Sequence, residues 1–215
     1  MDLGRELRAA AGLATMRVDG PPAPERASAL AWLPIAGLAI GAFAAAVAAL
    51  ASAWSSVVAA AGAVAVLALL GGRAAPPALR VLAAAVDLVA IARLAPGART
   101  LALLVAPMLA RWAVVVQCYG GAPRAAEGGL AGLVGRARFR EFGIASVVAL
   151  GVSLAVLDAV GLVVAVASAL VTLAVRVVAY RRSGGLSAGA LNATSALVET
   201  SALVLLSWIG ALLGR

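Results

Sequence analysis

The chain has 215 residues, 64% of them apolar and 12% charged, with a mean hydropathy of +1.08. Soluble domains carry about 45–50% apolar and about 25% charged residues, so a soluble globule and a disordered chain are both excluded. The formal charge of +8 comes from 17 basic and 9 acidic residues; every basic residue is Arg, most of them scattered singly between apolar runs, which fits the loop charges of a membrane protein better than a nucleic-acid surface. The composition predicts an all-α, polytopic membrane bundle of about six or seven spans. There is no His, which removes the commonest general base and metal ligand. The single Cys, Cys118, excludes an internal disulfide and sits in an apolar run, as a small packing residue would.

Residues 1–28 are too polar, for too long, to read as a cleavable signal, and form a predicted cytoplasmic N-terminal segment. Within it Leu3, Leu7, Ala10, Ala11 and Ala14 share one helical face, the pattern of a short interfacial helix. Pro21, Pro22 and Pro24 break that helix. Residues 29–215 form the predicted transmembrane domain. Its first span runs from about Ala29 to Trp54, with Pro34 near its start and a Gly37–Gly41 pair that lets another helix approach closely. The second runs from about Ser55 to Gly72. Residues 81–92 are a short third candidate interrupted by Asp87, and residues 100–119, with Pro107 and Arg111, are the fourth. Residues 143–180 are too long for one span, and Asp158 with Gly161 marks the expected turn between two. The last span is about Ala193 to Leu213.

Seven spans place most arginines on one side, including Arg73, Arg80, Arg124, Arg136, Arg138, Arg140, Arg181 and Arg182, and leave Arg93, Arg99 and Arg215 on the other. The positive-inside rule then puts the N-terminus in the cytoplasm of a bacterial inner membrane. Charges deep in a bilayer need partners. Arg176, near a span end, can snorkel to the interface. Arg111, in mid-span, needs a carboxylate such as Asp87 or Glu199, or an anionic ligand. After Arg181 and Arg182, the run Gly184-Gly185-Leu186-Ser187 is either a plain turn or a loop whose backbone approaches phosphate oxygens. None of the nine acids forms a paired motif such as DxxD, and there is no Walker loop or dinucleotide fingerprint.

The order of segments resembles the cobalamin synthase family, the integral-membrane adenosylcobinamide-GDP ribazoletransferases. Residues 13–21 resemble the family's opening Arg–Pro motif. Ala29-Leu-Ala-Trp-Leu-Pro34-Ile-Ala-Gly37 through Gly41 resembles its first span. Ala106-Pro-Met-Leu-Ala-Arg111-Trp-Ala resembles its mid-chain span with a buried Arg, and Arg124 with Glu127 and Gly128 a following loop. Arg181-Arg182-Ser-Gly184-Gly185-Leu-Ser187-Ala-Gly189 through Ala193, followed by Glu199, resembles its terminal loop. The resemblance implies a reaction that joins adenosylcobinamide-GDP to α-ribazole and releases GMP, with Mg2+ bound by an acidic segment after the second span. Here Leu70-Gly71-Gly72-Arg73 runs directly into Ala-Ala-Pro-Pro, and Gly189 stands where the family carries an Asp.

The sequence therefore predicts a cobalamin-synthase-like membrane protein that is catalytically impaired, its catalytic residues unassigned. No cofactor is expected, or Mg2+ if the protein is active. Arg111, Arg124, Arg181, Arg182, Gly184, Gly185 and Ser187 are its candidate phosphate-binding residues. Asp87, Glu127 and Glu199 are the acids from which a metal site would have to be rebuilt. The alternative is a non-catalytic scaffold that binds a corrinoid or lipid. A small transporter is a third reading, hinted at only by Pro107 with Arg111. The expected partners are the bilayer and a corrinoid intermediate, not nucleic acid, and the small-residue faces permit oligomers.

Overall fold

A computed structural model describes residues 9–10, 12–13, 24–70, 77–124 and 130–212. Helices dominate, and the only β-type pairings among the described residues are two isolated bridges. A short helix α1 (Pro24–Ala29) and a 3-10 turn (Leu30–Trp32) lead into α2 (Leu33–Ala51). Then follow α3 (Ser56–Leu70), α4 (Pro77–Arg93), α5 (Pro96–Cys118), α6 (Phe139–Ser183) and α7 (Ala188–Leu212). The predicted spans fall on these helices, including the short one, which is the 17-residue α4. Most of the predicted interfacial helix lies outside the described residues. Ala9, Ala10, Gly12 and Leu13 are helical, and Ala10 and Leu13, three apart, are buried.

Local chemistry sets the boundaries. The Ser55 hydroxyl accepts from the Val58 N–H at 3.1 Å, capping α3 after a tight turn that makes α2 and α3 neighbours. Pro96 starts α5 at the first helical position, where its missing N–H costs nothing. Four helices, one of them the 45-residue α6, are long and apolar enough to cross a membrane. Large apolar side chains such as Leu50, Leu69, Val81, Val147, Leu170 and Trp208 point outward. An outer surface of that kind suits hydrocarbon rather than water.

α5 is the central helix, packed against α2, α6 and α7, and nearly its whole length is enclosed. The Gly37–Gly41 pair explains the close approach of α2. A side chain at Gly37 would meet the Pro107 carbonyl at 2.6 Å and the Arg111 Cγ at 2.8 Å, and one at Gly41 would strike the Leu103 carbonyl. Pro107 has no N–H to offer that Leu103 carbonyl four residues before it. The helix carbonyl that Pro107 releases is therefore the one that Gly41 faces.

α6 is a hairpin. A straight 45-residue helix would span roughly 67 Å. Yet a Cβ on Gly161 would collide with the Ser153 carbonyl, and eight residues of straight helix would hold those positions roughly 12 Å apart. The reversal is at Asp158, the one described non-glycine residue with positive φ, at φ 51° and ψ −137°. The expected Asp158–Gly161 turn is thus present, and both ends of α6 return to one end of the bundle.

Candidate functional site

Among the described residues the most deeply buried charged side chains are Asp87 on α4 (0% exposed), Arg111 on α5 (1%) and Glu199 on α7 (2%). None of them is an isolated charge. The Arg111 Nη1 donates to the Ser195 hydroxyl at 2.5 Å. Ser195 is one helical turn before Glu199, and Asn192 is one turn before Ser195, so α7 carries a buried polar stripe. Sequence reasoning missed Ser195. Its signal was the 192, 195, 199 spacing of polar residues in an otherwise apolar helix.

The other spanning cations are satisfied by backbone. Arg176, expected to snorkel toward a span end, is half-buried and reaches the C-terminal end of α5. Its Nη2 donates to the carbonyls of Val116, Gln117 and Tyr119 at 2.6, 2.9 and 3.0 Å, and its Nε to the Gln117 Oε1 at 3.0 Å. The last turn of α5 leaves carbonyls unpaired, so a cation there finds several acceptors at once. Gln117 extends the network through its Nε2 to the Thr172 carbonyl (3.0 Å) and the Thr194 hydroxyl (3.1 Å). Arg99, expected as a free loop charge, is 5% exposed and donates to the Ile91 and Leu94 carbonyls at the end of α4.

The remaining candidates meet at one end. Residues 119–124 pair with the loop after α6: the Arg124 N–H donates to the Leu186 carbonyl (3.0 Å), and the Leu186 N–H to the Ala122 carbonyl (2.9 Å). The side chains of Arg124, Arg181 and Arg182 are exposed there. Each small residue in the loop has a folding task. Gly184 ends α6 in the left-handed conformation, φ 70°, as helix-stopping glycines do. Gly185 has no room for a side chain, which would lie 2.8–2.9 Å from the Arg124 backbone. The Ser187 hydroxyl accepts from the Ala190 N–H at 3.2 Å, capping α7. Glu127 lies outside the described residues.

A Mg2+-dependent phosphoryl transfer needs convergent oxygen ligands. Among the described residues no group of three His, Cys, Asp or Glu side chains comes together in a way that could hold a metal. The described donor set therefore does not fit the metal that the resemblance implies.

The model of the cobalamin-5-phosphate synthase family matches residues 78–207, more than half of the chain. The chain belongs to the cobalamin-5-phosphate synthase family. Comparisons with curated proteins and with solved structures give no match. The matched region of this cobalamin-5-phosphate synthase relative runs from α4 to α7 and contains Asp87, Arg111, Arg124, the Gly184–Gly185 loop and Glu199. The stretches at 13–21 and 29–41 lie ahead of it, as does the junction between α3 and α4, where the sequence lacks the acidic segment expected from the resemblance.

Proposed function

We propose that this chain is a cobalamin-5-phosphate synthase relative that keeps the membrane scaffold and a basic face but does not carry out the metal-dependent transfer. One observation carries the reading. Between Leu70 and Pro77 there is no acidic residue, and the described acids offer no metal-holding group in compensation. Without a metal to take up charge on the departing phosphate, much of the transition-state stabilisation is missing. Arg124, Arg181 and Arg182 remain as exposed cations around the loop between α6 and α7, so the protein keeps the means to hold an anionic corrinoid intermediate. Its place in this reading is a bacterial inner membrane with the arginine-rich end in the cytoplasm.

The deciding assay is GMP release from adenosylcobinamide-GDP plus α-ribazole by the purified full chain in liposomes, with and without Mg2+. The expected result is no release beside an active family control. Metal-dependent release would overturn the reading and point to Glu127 joining Asp87 or Glu199. In parallel, equilibrium binding of adenosylcobinamide-GDP is expected to persist and to weaken in Arg181→Gln/Arg182→Gln.

A further inference from the structure

We infer that an arginine-lined basin at the start of α6 binds the phosphate of an anionic lipid headgroup. The basin has a volume of about 540 Å3 and is lined by Ser28, Gly135, Arg136, Arg138, Arg140 and Glu141, among others. None of its arginines is among the residues that the family resemblance or the proposed function uses.

The backbone presents these cations as a fixed set. The Gly135 N–H donates to the Cys118 carbonyl at 2.8 Å, and Gly135 itself adopts φ 76°. Ala137 is buried and bridges Tyr119. Arg136, in the turn closed by its N–H to the Leu133 carbonyl (3.0 Å), and Arg138 are exposed on either side of buried Ala137. Arg140 follows in the first turn of α6. Glu141 is the one acid in the lining, and its Oε2 accepts from the Arg138 N–H at 2.9 Å, so it serves the helix cap. Three arginines therefore line the basin beside the positive end of a helix.

The surroundings favour a lipid over a soluble anion. Phe139 stands between Arg138 and Arg140 with 75% of its surface exposed. The apolar arm of α6 begins within one turn. Cations at the foot of an apolar span, with an exposed aromatic ring beside them, match both the charged and the hydrocarbon parts of a phospholipid. A free phosphate has no use for the ring. The shared chemistry is a phosphate ester, and the two sources separate in one experiment.

The full chain in neutral detergent is titrated with phosphatidylglycerol or phosphatidylcholine in mixed micelles, and bound lipids are counted by native mass spectrometry. Three basin arginines predict a preference for phosphatidylglycerol of about a hundredfold. Arg136→Gln/Arg138→Gln/Arg140→Gln is expected to abolish that preference, and the corresponding triple Lys variant to retain most of it. Arg140→Gln alone, at an exposed position, gives a partial loss even if the triple variant folds poorly. Phe139→Ala should weaken lipid binding further. Equal binding of the two lipids overturns the inference. So does unchanged preference in the Gln variants, or displacement of the lipid by millimolar inorganic phosphate with no effect of Phe139→Ala, which would assign the basin to a soluble anion.

Discussion

Arg111 sits in the middle of the most enclosed helix, where water cannot solvate it and its stem cannot reach the bilayer surface. The fold answers with protein contacts. Gly37 leaves room for its stem, and the Ser195 hydroxyl accepts from its guanidinium. Arg111→Ala empties that space and removes the donor. We expect it to cost roughly 2–5 kcal/mol, by analogy with other large-to-small core changes. Ser195→Ala should cost less, about 1.5–3 kcal/mol, the range for hydrogen bonds to charged groups. Thermal unfolding in detergent measures both. If Arg111→Ala unfolds like the parent and loses only ligand binding, Arg111 is a ligand-facing residue and the packing role fails. The sequence showed that Arg111 needed a partner and offered two carboxylates. It could not show Ser195, because which face of α7 meets α5 depends on how the helices are rotated about their axes.

At the scale of elements, glycine positions separate two kinds of contact. Gly41 in α2 faces the Leu103 carbonyl of α5, and Gly143 in α6 has open space where a side chain would go. Gly41→Ala is expected to destabilise by about 1–3 kcal/mol, because two backbones must move apart. Gly143→Ala is expected to be neutral or to stabilise by up to about 1 kcal/mol, by lowering the entropy lost when the helix forms. Chemical or thermal unfolding of the two variants side by side checks the contrast. Equal effects would mean that α2 and α5 are less closely packed than the glycines require. The sequence spacing of Gly37 and Gly41 was legible as a close-approach motif, but nothing local named α5 as the partner. In the loop between α6 and α7 the reverse holds. Gly184, Gly185 and Ser187 read equally well as a phosphate cradle or a turn, and the fold gives each a structural task in a cap or a chain crossing.

At the scale of the whole molecule, the reversal at Asp158 decides which charges share a side. It brings the start of α6, with Arg136, Arg138 and Arg140, to the same end as Arg181 and Arg182. The Ala122 N–H donates to the Tyr180 hydroxyl there, and the rings of Tyr119 and Phe142 stack with centroids 4.6 Å apart. Both arms of α6 are thus tied to the end of α5. In a Cys118→Ala background, single cysteines at Arg138 and Arg182 should react with an impermeant maleimide from one side of sealed vesicles. A cysteine at Asp158 should react only from the other. Labelling of positions 138 and 182 from opposite sides would rule out the hairpin. With the orientation of the vesicles known, the same experiment tests whether the arginine-rich end faces the cytoplasm, as the charge bias predicts.

Helical class, the order of the helices and the turn in residues 143–180 follow from the sequence itself. Apolar run length and backbone hydrogen bonding in hydrocarbon leave few alternatives, and those constraints act along the chain. Pairing of the helices does not follow. Arg176 and Arg99 looked like interfacial or loop charges, and only the packed bundle brought the carbonyls of α5 and α4 within their reach. Buried polar side chains are satisfied by whatever the neighbouring helix presents, and in a chain so rich in Ala, Val and Leu many faces are nearly equivalent. The basin of Arg136, Arg138 and Arg140 arose the same way. Its residues were visible as topogenic charges, but their convergence on Ser28 depends on α1 and the turn after it packing against α6.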